Sequence, residues 1–391
     1  MSFLGGLILN SVDTTDTPGM GLIHVGFIFL FMWAMVIPHE FGHAIVARIL
    51  GLKVFRVIIG YGRPIFLCKL LGFKWEFRSL PIGGVTVAAS PSPRFYRLRL
   101  FLMVLAGPLV DVSFAVVAFW LSTRVWDGNQ SGFWQELLLI DLALANIVSF
   151  VSGLWPRKIE TVAGFTANDG LLLCTIPFIS GKKLTEWLAG YYVLASQELH
   201  QQKYYAQAVR TCEAGMARYP DCGLLRMQLG VCLIYINEFE RARESLMEAL
   251  KATDIRPEDR LILLSNIALA DILSGRNDLL EEADRYSAQA YQNIPWVPGV
   301  KDTRGMVLVE SGQLQEGLAL LRTAIIEQTE PEIKATIAAY MAIGEKRRGN
   351  IERATRYLDI TRTLAPQCRL LNRVKTELEL TDANSPSAFA Q

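Results

Sequence analysis

The sequence predicts a mainly α protein in two parts: a polytopic helical membrane core with a small β element, then an α-solenoid of about five helical repeats. Three observations carry that reading. Long apolar runs of bilayer-crossing length fall only in the first half of the chain. Between the first two of them lie short alternating, β-branched and aromatic stretches. From about Glu186 the composition turns to Ala, Leu, Glu, Arg and Gln, and small residues recur at a fixed interval. With 51% hydrophobic and 20% charged residues, the 391-residue chain is neither disordered nor wholly membrane-embedded. Its 39 Lys+Arg balance 38 Asp+Glu, and a net charge of +1 argues against nucleic acid as a partner.

The first apolar run, Leu22 to Ile37, continues past Pro38 to near Leu50, giving a span over about 20–50. Residues 1–38 contain no Lys or Arg, and Pro38-His39-Glu40 lacks the small residues of a cleavage site, so a retained span is expected rather than a signal peptide. The second span, about 98–122, carries Asp111 in its middle; the third, about 134–156, carries Glu136, Asp141 and Asn146. A short apolar piece over 170–180 follows Asp169. Between Arg48 and Arg99 lie ten Lys or Arg against the single acid Glu76, whereas Ser122 to Gln135 holds only Arg124 and Asp127. The basic loop is therefore expected in the cytoplasm, the N-terminus outside, and everything after Lys158 in the cytoplasm. Within that loop, Val54–Ile59 and Lys74–Arg78 read as hairpin strands punctuated by Gly60, Gly62, Pro64 and Gly72, with Leu80–Val87 a further extended edge.

In the second half, Ala208 and Ala242 stand 34 residues apart, the tetratricopeptide period. Ala283 with Ala290, Gly305 with Gly317, and Ala342 with Ala354 continue the pattern, and a small residue at each crossing lets paired helices approach closely. The domains expected are thus a membrane core over 1–184, a cytoplasmic tetratricopeptide domain over 185–375 and a flexible tail over 376–391. Solenoids of this kind bind partners on a concave face, so a protein partner is expected there. The six cysteines show no C-x-x-C spacing and read as free thiols in a reducing compartment, four of them as small fillers of the helical array.

The chemistry lies in His39-Glu40-Phe41-Gly42-His43. Histidines at i and i+4 share one helix face and can hold Zn²⁺, with the adjacent carboxylate as general base. Placing these groups in a span costs about 2–3 kcal/mol for each ionised one, which marks them as functional. A catalytic zinc needs a third protein ligand and leaves one position to water. His24 lies about 22 Å away along the same helix, too far to serve, and His200 falls among the repeats. The third ligand is therefore sought among Asp111, Asp141, Asp169, Glu136, Cys68 and Cys174. Asp169 is favoured by its place in a broken stretch between two apolar pieces, where non-helical backbone lines a cavity; Asp111 and Asp141 stand as rivals.

Residues 35 to about 180 resemble the site-2 protease family of intramembrane zinc metalloproteases (peptidase M50-like). The resemblance rests on His39-Glu40-Phe41-Gly42-His43, Leu80-Pro81-Ile82-Gly83-Gly84-Val85, Ala106-Gly107-Pro108-Leu109, Asn146 followed by Leu154-Trp155-Pro156, and Asn168-Asp169-Gly170. It implies an integral, multi-pass metalloprotease core in a bacterial inner or plasma membrane, with Zn²⁺ held by His39, His43 and Asp169 and with Glu40 as catalytic base. It further implies that Asn146 assists the substrate or oxyanion, and that Gly83 and Gly84 let an extended substrate strand come close. The substrate it implies is a membrane protein cut in or near a transmembrane segment within the lipid bilayer. This chain departs from the family in having Asp111 where Asn is usual, extra residues over Arg157–Ala167, and the polar Asn168 before Asp169. A rival from another class is a catalytically inactive membrane-anchored tetratricopeptide adaptor, distinguished from the enzyme by metal content.

Overall fold

The computed structural model of the chain describes residues 18–125, 130–161 and 164–382. Among the described residues, three helices are long and apolar enough to cross a membrane: α1 (Pro18–Ile49), α2 (Tyr96–Val125) and α3 (Gln130–Leu154). Their mean hydropathies of 2.1, 2.3 and 2.1 come with largely unburied side chains; only 6% of the apolar window of α1 is buried. Phe29, Trp33, Val116, Phe119 and Trp120 all point outward, the reverse of a soluble core and the arrangement that lipid requires. The inward faces carry small or polar residues instead, including Ala44, Ala47, Ala106, Ala115, Ala118 and Ala145.

Between α1 and α2 run two long strands, β1 (Lys53–Leu70) and β2 (Phe73–Ala89), paired antiparallel. Gly60 and Gly62 adopt positive φ, which lets β1 bend. As a result Val57, Ile58 and Ile59 register with Thr86, Val85 and Gly84, and also with Trp75, Glu76 and Phe77. The outer part of β1, from Pro64 to Leu70, closes the hairpin against Phe73–Arg78. Gly84–Ala89 thereby becomes a sheet edge, and among the described residues no further strand pairs with it. Val57, Ile59, Phe73 and Trp75 pack with Ala44 of α1, fixing the sheet on that helix.

The extra residues after α3 form a small hairpin, β3 (Lys158–Thr161) and β4 (Gly164–Ala167). It leads directly into α4 (Asp169–Thr175), and α5 (Gly181–Gln201) follows. The chain divides into two compact units, Met1–Tyr191 and Tyr192–Gln391.

The second unit is a run of helix pairs: α6 (Tyr205–Met216), α7 (Gly223–Tyr235), α8 (Phe239–Lys251), α9 (Pro257–Ser274), α10 (Leu280–Asn293), α11 (Pro298–Glu310), α12 (Leu314–Glu327), α13 (Pro331–Arg347) and α14 (Ile351–Leu364). Ala208, Ala242, Ala283, Gly317 and Ala354 are each the fourth residue of their helix, and each is buried. The reason is contact distance. A Cβ at Gly305 would sit 2.8 Å from Leu321, and one at Gly317 would sit 2.9 Å from the Gly305 carbonyl. The array runs past residue 375, where it was expected to give way to a flexible tail: α15 (Leu370–Asp382) buries Leu370, Leu371 and Val374 and packs Leu378 against the same core. Those residues form a helical stripe that closes the apolar end of the array. Residues 383–391 lie outside the described residues. All six cysteines are free thiols, with Cys212, Cys222 and Cys232 buried among the helices.

Candidate metal centre

His39, Glu40 and His43 lie about two to three turns before the C-terminal end of α1, just after Pro38 inside the helix. Gly42 faces α2 so closely that a Cβ there would meet Val110 at 2.6 Å and the Ala106 carbonyl at 3.1 Å. This close approach sets both imidazoles against Gly107 of α2, where a Cβ would stand 2.3 Å from His43 Nε2 and 2.6 Å from His39 Nε2. The Ala106-Gly107-Pro108 segment thus has a steric role: it leaves room for two rings and nothing more.

Each ring is oriented through its other nitrogen. His39 Nδ1 donates to Asp111 Oδ2 at 2.9 Å, and His43 Nδ1 donates to the Met103 carbonyl at 2.8 Å. With the protons of neutral rings placed on Nδ1, both Nε2 lone pairs turn toward one another. The third member arrives from the other side. Asn168 caps α4, its Oδ1 accepting from the Leu171 and Arg157 amides while its Nδ2 donates to the Gly153 and Trp155 carbonyls. Gly170 lies on the end of α3, where a Cβ would be 2.0 Å from the Leu154 carbonyl oxygen. These contacts bring Asp169 Oδ2 to 3.1 Å from His39 Nε2 and 3.4 Å from His43 Nε2, and the two Nε2 atoms are 3.2 Å apart.

Three electron-rich atoms therefore form a nearly equilateral triangle. Tetrahedral zinc with bonds of about 2.0–2.1 Å needs donors about 3.3 Å apart, so the donor set fits that ion in both chemistry and spacing. Among the described residues this is the one cluster of three or more metal-ligating side chains so arranged.

Glu40 is 4% exposed and accepts a 2.7 Å hydrogen bond from Thr86 Oγ1 on its Oε2. Its other oxygen faces Gly84, whose missing side chain is what admits the carboxylate: a Cβ there would be 2.8 Å from Oε1. Gly83 adopts a positive φ beside Tyr61, so the two adjacent glycines serve separate needs. The edge Gly84–Ala89 consequently runs directly past the carboxylate.

The other sequence candidates fall elsewhere. Asp111 does not join the triangle; it holds the far side of His39. Asp141, 1% exposed, pairs with His24 at 2.9 Å. Asn146 is buried and its Nδ2 donates to Leu142 of its own helix, with no hydrogen bond to the triangle among the described residues. Cys68 lies in the hairpin and Cys174 is exposed on α4. Sequence reasoning passed over Thr86 and the anchoring role of Asn168, and quoted Gly107 within the Ala106-Gly107-Pro108-Leu109 motif without its steric role. Asn168 carried a signal too, since Asn before a helix-opening Asp-Gly is a capping pattern.

The chain belongs to peptidase family M50, whose sequence profile matches residues 27–355. It is similar to a Neisseria meningitidis protein named for an inferred zinc metalloprotease activity, 26% identical over 260 residues covering 61% of this chain and 52% of that one. It is also similar to Protease RseP of Yersinia pestis, 32% identical over 101 residues covering 22% of each. The chain spans about half the length of the curated relatives it matches over the longest stretches. Among solved structures, a thermophilic TPR protein of Thermus thermophilus aligns with 49% of this chain and 99% of its own at 18% identity and a TM-score of 0.38.

Proposed function

We propose that this chain is an intramembrane zinc metalloendopeptidase that hydrolyses peptide bonds in or near transmembrane segments of membrane-protein substrates. The observation that carries the reading is the His39–His43–Asp169 triangle beside a buried Glu40, set among apolar spans. His39, His43 and Asp169 would hold the metal. A zinc ion bound there would supply Lewis-acid polarisation of the scissile carbonyl and would acidify a water. Glu40 takes the proton from that water and delivers it to the departing amine nitrogen, while Thr86 holds its carboxylate in place.

The unpaired edge at Gly84–Ala89 supports a mode of substrate entry. A helical peptide bond is shielded by its own hydrogen bonds, so the substrate must unwind first. An extended segment can then add to the edge by main-chain pairing, with Gly83 and Gly84 leaving room beside the carboxylate. Asn146 assists the substrate from α3. The basic loop and the repeats lie on the cytoplasmic side with the N-terminus outside, a reading supported by the excess of Lys and Arg in that loop. There the repeat array takes a protein partner.

The test is a comparison of membrane proteins in cells carrying the parent chain and cells carrying Glu40→Gln. The variant keeps the shape of the side chain and loses the base, so uncleaved substrates should accumulate and co-purify with it. Cleavage at the parent rate by the variant would remove Glu40 from its role.

A further inference from the structure

Asp111 is the one carboxylate that touches the cluster without belonging to the triangle. It lies in the middle of α2 at 1% exposure, and its Oδ2 accepts from His39 Nδ1. Its Oδ1 is buried with no hydrogen-bond partner among the described residues. A neutral side chain of similar size would fill this position without burying a half-satisfied charge, and such a burial is costly. The position therefore needs an account that packing does not give. The second ring supplies the contrast, since His43 Nδ1 meets an uncharged carbonyl, that of Met103. One imidazole is backed by a charge and the other is not.

We infer that Asp111 is a positioning residue for the metal centre: its carboxylate fixes the tautomer and orientation of His39 and, through the ring, raises the donor strength of Nε2. A charged acceptor on the far nitrogen pulls the Nδ1 proton and increases electron density at the nitrogen that faces the metal. The same charge counts in the electrostatic balance. Asp111, Asp169 and Glu40 bring three carboxylates around two imidazoles, and a divalent cation at the triangle offsets what would otherwise be uncompensated charge in an apolar span. The metal-binding strength of the site thus depends on a residue that does not touch the metal. This rests on the zinc reading above.

The experiment is a zinc titration of the purified full chain in detergent against a competing chelating dye, with thermal unfolding of the metal-free protein measured in parallel. Asp111→Asn keeps an acceptor for Nδ1 and removes the charge. It should weaken zinc binding by roughly 10–100-fold, while the metal-free variant melts at the parent temperature or above because a half-satisfied buried charge has gone. Asp111→Leu, which also removes the acceptor, should weaken binding further. Zinc affinity within threefold of the parent in Asp111→Asn overturns the inference, as does an affinity loss accompanied by a lower melting temperature without metal, which marks a packing role. If the parent chain itself binds no zinc, the underlying reading fails and this inference with it; failure confined to the variants falls on Asp111 alone.

Discussion

Gly107 offers a sharp test because the clearance around it is known atom by atom. A Cβ added there would stand 2.3 Å from His43 Nε2, 2.5 Å from His43 Cε1 and 2.6 Å from His39 Nε2. Ordinary non-bonded contact needs about 3.5 Å, so each ring must retreat by about 1 Å. Metal–ligand distances tolerate about 0.2 Å. Gly107→Ala should therefore lower zinc affinity on the order of 100-fold and abolish proteolysis. In an unobstructed helix the same change favours folding by up to about 1 kcal/mol, so general helix damage is not the expected route. Gly153→Ala is the matched control: it also lies in a spanning helix, and a Cβ there meets nothing within 4 Å. Zinc content by elemental analysis and affinity by chelator competition measure both variants. A Gly107→Ala chain that holds one zinc with affinity within threefold of the parent would refute the placement of the two rings.

Two further outcomes follow from other parts of the structure. Thr86→Val removes the hydroxyl that donates to Glu40 and should slow cleavage of a substrate trapped by Glu40→Gln on the order of 10-fold; zinc content should stay at the parent level, and Thr86→Ser should restore the rate. An unchanged rate in the valine variant would show that the carboxylate needs no such support. In the repeat unit, burial pushes the Asp302 carboxyl up to about 6, against a hydrogen bond from Gln328 that pulls it down. The folded value lies above the unfolded one of about 3.9, so the folded chain binds the extra proton between about pH 4 and 6, and this residue's contribution to stability rises as pH falls. Relative to Asp302→Asn, the parent should gain on the order of 2 kcal/mol between pH 8 and pH 4 in denaturant unfolding. A flat or reversed difference would contradict the burial of this carboxylate.

What could be read from the chain alone was what is local. His39, Glu40 and His43 are fixed by helical spacing, so their shared face was legible at once. The crossing points of the repeats were legible for a similar reason: Ala208, Ala242, Ala283, Gly317 and Ala354 mark contact distance, and that requirement leaves a trace at each position. Asp169 was legible in part, because a broken apolar stretch is a local sign, although spacing alone left Asp111 and Asp141 as rivals. What separated the three was tertiary. Asp111 meets the far nitrogen of His39, Asp141 meets His24, and Asp169 alone reaches the near nitrogens. The sheet was the least legible element. The double registration of Val57–Ile59 depends on the bend at Gly60 and Gly62, which alternation of side chains does not encode. Thr86 was hidden for that reason, since only the folded edge brings it within 2.7 Å of Glu40.

On this reading two imidazole nitrogens and one carboxylate oxygen, from helices far apart in sequence, hold a single zinc ion. X-ray absorption at the zinc edge of the purified chain reads those scatterers directly. The expected result is a four-coordinate shell with two imidazole rings and oxygen at about 2.0 Å, losing one oxygen scatterer or the zinc itself in Asp169→Ala. A shell with a sulfur scatterer, with one imidazole, or unchanged in Asp169→Ala would contradict it.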